Sequence, residues 1–278
     1  FFFLCGGLLL LFLFFVAKKN PPPPPGGGRP PPPPRRALKK TMEIKVNALM
    51  IRAADYGEND KILTLLTAER GKLTAGIKGV KKAGAKLKFA AQPFCLAEYV
   101  LSGRGGRYTV TGAYESESFY DLRCDINKFY AACALCEAAS ALTFEEDASP
   151  QLFLYCVEGL RDMCAGDECF ALIKFLTNAL ALSGYGFSAG VCAECGKDLS
   201  GEEKLRFDMD GGFFTCWDCG TGFGVSGSTY AVLRAAEGRP CGETTDDGKK
   251  RALRLLREYY ALKTDNRCTS LSEYLRLL

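Results

Sequence analysis

From Ile44 to Ala53 the chain alternates apolar and polar residues with the two-residue period of a strand, and Asp55-Tyr-Gly-Glu-Asn-Asp60 has the composition of a turn. Lys61–Thr67, rich in Ile, Leu and Thr, predicts a second strand, and Glu69-Arg-Gly71 turns the chain into a third, Lys72–Val80. Lysines and small residues, interrupted only by Leu87, make a loop of Lys81–Lys88. Pro93–Leu101 predicts a fourth strand, Gly103-Arg-Gly-Gly-Arg107 a tight turn, and Tyr108–Ser116 a fifth strand. Five short strands in so compact a stretch predict a small closed β-barrel of the OB type.

From Leu122 the period changes. Ile126–Leu142, Pro150–Cys164 and Cys169–Ser183 are long apolar-periodic segments with few β-branched residues, which predicts helices. Gly184-Tyr-Gly186 ends the third of them. Further on, Thr229–Ala236, Lys249–Leu262 and Leu271–Leu278 read as helices; in Lys249–Leu262, Ala252, Leu255, Leu256 and Tyr259 share one face, while Lys250, Arg254 and Arg257 line another. The expected fold class is therefore α+β: an OB-type barrel over residues 42–121, then a helical domain over 122–278.

Residues 1–41 do not share this patterning. Phe1–Ala17 is almost entirely Phe and Leu, and Lys18-Lys19, two proline runs, three glycines and a basic run to Lys40 come after it. Seventeen apolar residues stand at the short limit for a membrane span. No charged segment precedes them and no small-residue cleavage pattern succeeds them, as a signal peptide requires. Translated upstream sequence, an anchor and a disordered leader are the readings open. Homopolymer runs carry no packing information, so the expectation is that the working protein starts at Met42, the first methionine.

Setting that leader aside reverses the charge. The whole chain is formally +4, but the leader holds seven basic residues and no acid, which leaves 29 basic against 32 acidic residues from Met42 onward. The barrel segment is net basic and the helical segment net acidic. Within Lys61–Lys88 there are eight basic residues and one acid, Glu69. Lys72, Lys78, Lys81, Lys82, Lys86 and Lys88, with Arg104 and Arg107 on a neighbouring turn, are the candidate phosphate contacts. Tyr56, Phe89, Phe94 and Tyr108 lie close in sequence and are candidates either for base stacking or for the barrel core. The basic stripe on Lys249–Leu262 reads as a solvated helix face.

Cys192-Ala-Glu-Cys195 and Cys216-Trp-Asp-Cys219 are two Cys-x2-Cys pairs twenty residues apart, each followed by glycine, Gly196 and Gly220. Four thiolates on paired turns make a closed tetrahedral site suited to one structural Zn2+, within a ribbon at about residues 190–222. Iron fits the same cage chemically. Such ligands must stay reduced, so a reducing cytosol is the consistent setting for a chain with 14 cysteines. Cys133 and Cys136 form a third pair with no partner pair nearby, and their helical i, i+3 spacing places them in a core.

The chain contains no histidine, which removes His-dependent acid–base chemistry, Ser-His and Cys-His nucleophiles, and mixed Cys/His metal sites. Gly79-Val-Lys-Lys-Ala-Gly84-Ala has no lysine after the second glycine, so it is not a phosphate loop. Asp55, Glu58 and Asp60 read as turn residues rather than Mg2+ ligands. No catalytic residue is expected, nor a small-molecule substrate. An RNA-binding ribbon protein of translation or transcription, and an electron carrier with an iron–sulfur cage, are the other classes these residues allow.

The order of basic OB-like barrel, helical bundle and inserted four-cysteine ribbon resembles RecO, the bacterial recombination-mediator family. Asp55-Tyr-Gly-Glu-Asn-Asp-Lys-Ile-Leu-Thr-Leu-Leu-Thr-Ala-Glu-Arg-Gly-Lys72 looks like the amino-terminal signature of that family. Gly79-Val-Lys-Lys82 and Gln92-Pro-Phe94 are similar to the stretch on the carboxyl side of the signature. Leu182-Ser-Gly-Tyr-Gly186, Cys192-Ala-Glu-Cys195-Gly196 and Gly212-Phe-Phe-Thr-Cys216 look like its helix-to-zinc passage. The likeness runs from about Met42 to the carboxyl terminus; the leader has no counterpart. It implies a non-enzymatic protein of the cytoplasm and nucleoid, without a membrane, that binds single- and double-stranded DNA and anneals complementary strands. It further implies work with RecR in loading RecA onto single strands coated by single-strand-binding protein, whose acidic carboxyl-terminal tail the family contacts.

Overall fold

The computed structural model describes residues 42–278 apart from Gly105 and Glu146; residues 1–41, with the expectations attached to them, lie outside the described residues. Five strands, β1 (Met42–Tyr56), β2 (Asp60–Thr67), β3 (Gly71–Ile77), β4 (Leu96–Arg104) and β5 (Arg107–Glu117), close on themselves in the order β1-β2-β3-β5-β4. β1 is long because it serves two neighbours. Met42–Leu49 pairs with β4 and Ala48–Tyr56 with β2, with a register shift between Met50 and Arg52 that bends the strand from one to the other. Closure rests on two parallel pairs, Ala75↔Tyr108 and Gly76↔Thr109.

Two strand limits differ from the alternation pattern, each for a local reason. β3 stops at Ile77 rather than Val80, because the next residues turn back onto the β1–β2 turn, where Gly79 N donates to Asp60 Oδ1 at 2.7 Å. β4 starts at Leu96 rather than Pro93. Proline has no N–H for a ladder, and Phe94 stands at φ 66°, outside strand conformation.

The barrel is filled from the inward positions of its strands, among them Val46, Ala48, Met50, Leu63, Leu65 and Tyr99. Tyr99 is fully buried, and its hydroxyl donates to the Ala90 carbonyl at 2.8 Å; burial pushes its pKa well up. Leu49 and Leu66 are register partners on the outer face of the barrel and belong instead to the core of the helical layer. Phe94 joins them there, with its ring edge-on to Phe129 at 5.6 Å. The Gln92-Pro-Phe94 stretch is thus the seam between barrel and helices.

The helices are α1 (Ile126–Leu142), α2 (Pro150–Ala165), α3 (Glu168–Leu182), α4 (Gly227–Ala236), α5 (Asp246–Thr264) and α6 (Thr269–Leu277). Asp125, Ser149, Asp167, Ser226 and Thr245 cap the first five through side-chain oxygens on free main-chain N–H groups. α6 is preceded by Cys268, which makes no such bond. Its cap comes from α1, where the Glu137 carboxylate accepts from Thr269 N at 2.9 Å and Ser270 N at 2.7 Å. Cys136 is buried in the same helix and Cys133 half-buried, with burial raising both thiols.

Between α3 and α4 lies a three-stranded sheet, β6 (Lys204–Asp208), β7 (Phe213–Cys216) and β8 (Phe223–Ser226), in the order β7-β6-β8. The inner face of this ribbon is not left to a metal for its stability. Leu205, Phe207, Phe214 and Val225 are buried in the helical core. Phe207 meets Phe214 at 4.7 Å and Tyr259 of α5 at 5.2 Å, and Phe214 meets Tyr230 of α4 at 5.0 Å. Among the described residues no helix is long and apolar enough to cross a membrane.

Candidate metal centre and nucleic-acid interface

Cys192 and Cys195 stand on a turn in the connection between α3 and β6, while Cys216 ends β7 and Cys219 stands on the turn after it. A main-chain bond from Ala193 N to Phe214 O at 3.0 Å brings the two turns side by side. The four sulfurs all lie within 4.8 Å of one another. Cys195 Sγ and Cys216 Sγ are 3.9 Å apart, close to the ~3.8 Å edge of a tetrahedron with 2.3 Å metal–sulfur bonds. The glycines act differently at the two turns. Gly196 adopts φ +73°, whereas a β-carbon at Gly220 would collide with the Thr215 hydroxyl.

Electrostatics of the site arise from crowding four thiols around a few donors. Burial alone would raise the Cys192 thiol, but main-chain N–H groups of Cys195, Cys216 and Glu194 outweigh it and hold the pKa down to about 6. The N–H of Cys216 reaches Cys192 Sγ at 3.3 Å. Cys219 is pushed up to about 12 by hydrogen bonding with the Cys216 and Cys195 sulfurs. One thiolate is stabilised by the backbone, and a second in the same space needs a cation. This is the donor set and the geometry a divalent ion fits.

Beside the ribbon, Trp217 is the one tryptophan of the chain. The Arg206 guanidinium lies 4.0 Å from its ring centroid and donates through Nε to the Trp217 carbonyl at 3.2 Å.

The second candidate site is on the barrel. A cleft of about 550 Å³ runs over the β2, β3 and β5 surface. Its lining includes Tyr56 at the end of β1, Lys61, Lys72, Lys78, Arg107 and Tyr108. On β3 the even-numbered positions face outward, so Lys72, Thr74 and Gly76, with Lys78 just past the strand, line this surface while Leu73, Ala75 and Ile77 fill the barrel. Tyr56 is 62% exposed, and Gly76 leaves a low floor between the strands.

The eight candidate phosphate contacts separate into three groups. Lys72, Lys78 and Arg107 line the cleft, though the Lys72 ammonium also donates to the Ser140 carbonyl at 2.8 Å. Lys82, Lys86 and Lys88 are exposed on the loop after β3, and Arg104 is exposed at the β4–β5 turn. Lys81 points back to the barrel and pairs with Asp55 at 2.7 Å. Of the four aromatics, Tyr56 and Tyr108 line the cleft, whereas Phe94 is buried in the core and Phe89 packs against the barrel interior. Lys61 is a cleft residue that sequence reasoning missed, although it lies in the basic window; its register with Ile77 on β3 brings it to the same surface, 3.9 Å from Asp55. On α5, Lys250 donates to the Leu278 carbonyl and Arg257 pairs with Glu258, so that stripe is partly spent on neighbours.

The described residues thus join an OB-like barrel with a tyrosine- and cation-lined cleft to a helical layer that carries a four-cysteine ribbon. Sequence comparison places this arrangement in a family. Residues 42–119 match the family described as "Recombination protein O N terminal" and residues 123–272 the one described as "Recombination protein O C terminal". "DNA repair protein RecO" of Desulfitobacterium hafniense strain DCB-2 is 34% identical over 196 residues, covering 70% of each chain. The protein of the same name from Clostridium novyi is 31% identical, covering 68% of this chain and 75% of its own. That of Dehalococcoides mccartyi strain BAV1 is 30% identical, covering 71% and 79%. The chain belongs to the RecO family of DNA repair proteins.

Proposed function

We propose that this chain is a DNA-binding and strand-annealing recombination mediator, and that its barrel cleft is where a strand lies. The observation that carries the reading is the surface over β2, β3 and β5. Tyr56 and Tyr108 offer rings on which bases stack, and Lys61, Lys78 and Arg107 offer charge to phosphates. No base-edge code is needed for such contacts, so binding is independent of sequence. The exposed lysines Lys82, Lys86 and Lys88 extend the basic surface along the loop after β3. Residues 42–121 are the DNA-binding domain in this reading, and 122–278 a helical domain whose ribbon holds one structural Zn2+ on Cys192, Cys195, Cys216 and Cys219.

Family membership supports the wider role. The chain acts without catalytic chemistry of its own, with RecR, on single strands coated by single-strand-binding protein. It contacts that protein's acidic tail and helps load RecA, in the cytoplasm at the nucleoid. Double-stranded DNA is bound by the same phosphate contacts.

Anisotropy of labelled oligonucleotides tests the cleft. Changing Lys78 and Arg107 together to Ala should lower affinity for all single strands alike and flatten the slope of log affinity against log salt by about 0.7 per lost contact. RNA of the same sequence should bind no more tightly than DNA. If an Arg254/Arg257 double variant loses DNA while the Lys78/Arg107 variant keeps it, the strand lies on the helical domain instead.

A further inference from the structure

Two acids line the cleft: Asp60, whose carboxylate is taken up by Gly79 N, and Glu145, which works against a phosphate-binding surface. The connection from α1 to α2 leaves the helical layer and lies along the start of β3, where Glu145 forms bridges with Gly71 and Lys72. Lys72 N donates to the Phe144 carbonyl at 3.4 Å, and the Lys72 ammonium reaches the Ser140 carbonyl. The seat is shaped for this approach. Gly71 adopts φ +62°, and a β-carbon there would collide with the Asp147 carbonyl. The connection is therefore held by main-chain contacts, which leave the Glu145 side chain free to line the cleft with Lys61, Lys72, Lys78 and Arg107. Glu145 is exposed and makes no ion pair within 4.0 Å among the described residues. A carboxylate placed there for stability would be expected to sit on a lysine; this residue is part of the lining of the cleft instead.

We infer that Glu145 is an electrostatic guard, a negative charge supplied by the helical domain that limits how tightly the barrel cleft holds a nucleic-acid phosphate. The inference rests on the strand-binding reading of the cleft. A chain that anneals strands must release the duplex it forms, and a fixed repulsion at one end of the cleft weakens holding without removing any contact. Like charges about 6 Å apart across water oppose each other by an amount equivalent to about a three-fold change in affinity, and salt screens it.

The test uses the full chain and a labelled oligothymidylate. Glu145→Gln keeps the main-chain seat and the side-chain shape but removes the charge, so affinity at low salt should rise about three-fold, and the gain should shrink as salt is raised. Release from the oligonucleotide should slow in proportion. Glu69→Gln removes an equal charge from the exposed β2–β3 turn, outside the cleft lining, and should change affinity far less. Equal tightening by both variants would mean that net charge alone is at work, and the guard would be refuted. So would an unchanged affinity in Glu145→Gln when the Lys78/Arg107 double variant loses DNA. If that double variant loses nothing, the cleft reading itself fails, a result separate from either outcome at Glu145.

Discussion

Asp55 and Lys81 form an ion pair of 2.7 Å that ties the loop after β3 to the end of β1. Asp60 does the same with its side chain, whose Oδ1 accepts from Gly79 N, and Lys81 N donates to the Asn59 carbonyl at 3.1 Å. The acidic turn at Asp55–Asp60 is thus a clasp for the basic loop, and it fixes that loop next to Tyr56 at the cleft.

Replacing Asp55 with Asn should free Lys81 and remove one negative charge beside Tyr56. Single-strand affinity should then rise modestly at low salt, while Lys81→Ala alone should lower it less than Lys78→Ala does. The hydrogen bond from Lys81 holds the Asp55 carboxyl below its ordinary value of 3.8. A depressed carboxyl stabilises the fold above its unfolded value and loses that contribution as pH falls through the folded one. The clasp should therefore be intact at neutral pH and open only in acid below about pH 4, visible as rising loop exchange rates by NMR.

Changing Cys195 to Ser should abolish stoichiometric zinc as read by metal analysis, and should cost several kcal/mol of stability, since structural zinc contributes directly to folding. The aromatic contacts of Phe207 and Phe214 with Tyr259 and Tyr230 keep the inner face of the ribbon anchored. Helical circular dichroism at room temperature should thus survive metal loss, while the melting temperature falls. Trp217 is the residue directly after Cys216, so a strong chelator should shift the fluorescence of the single tryptophan. Full zinc in the Ser variant would refute the four-cysteine assignment.

Glu137→Ala should fray α6 and lower stability by about 1 kcal/mol, as loss of a helix cap does. Burial alone would raise the Glu137 carboxyl, but donors from Ser270 and Thr269 outweigh it and leave the pKa below 4.5. The contribution should be complete above that value and fade as pH falls through the depressed one. Denaturant melts of the wild type and the variant should differ at pH 7 and draw together as pH falls below 4.5.

Phe94→Ala should destabilise the protein by about 3 kcal/mol or more, because a buried aromatic leaves a cavity its neighbours fill only in part. The position couples two layers, with its ring against Phe129 of α1 and its backbone at φ 66° at the entry to β4. Chemical denaturation should show the loss, and proteolysis should cut first between Lys81 and Pro93. A melt unchanged from wild type would show that the seam does not hold the two layers together.

Much of this architecture is legible in the chain alone because it depends on local period and spacing. The six helices begin and end within three residues of their apolar stripes, with Ser, Thr or Asp at the start of five of them. The Cys-x2-Cys pairs identify the four thiols that the fold gathers, since two turns of that spacing can present four sulfurs to one point. Relations between elements are another matter. Ile44–Ala53 reads along the chain as one alternating strand, yet both faces of its Ala48-Leu49-Met50 stretch are apolar, as are those of Leu65-Leu66, and only the docked helices show why: one side fills the barrel, and the Leu49–Leu66 pair fills the layer outside it. The basic window reads as one surface along the chain. Folding splits it, because Asp55 holds Lys81 at 2.7 Å and reaches Lys61 only at 3.9 Å, while β2–β3 pairing and the β3–β5 closure gather Lys61, Lys78 and Arg107 with Tyr56 and Tyr108. Period and spacing are local and written in order; partners across a sheet or between layers are chosen by burial and charge once the chain has closed on itself.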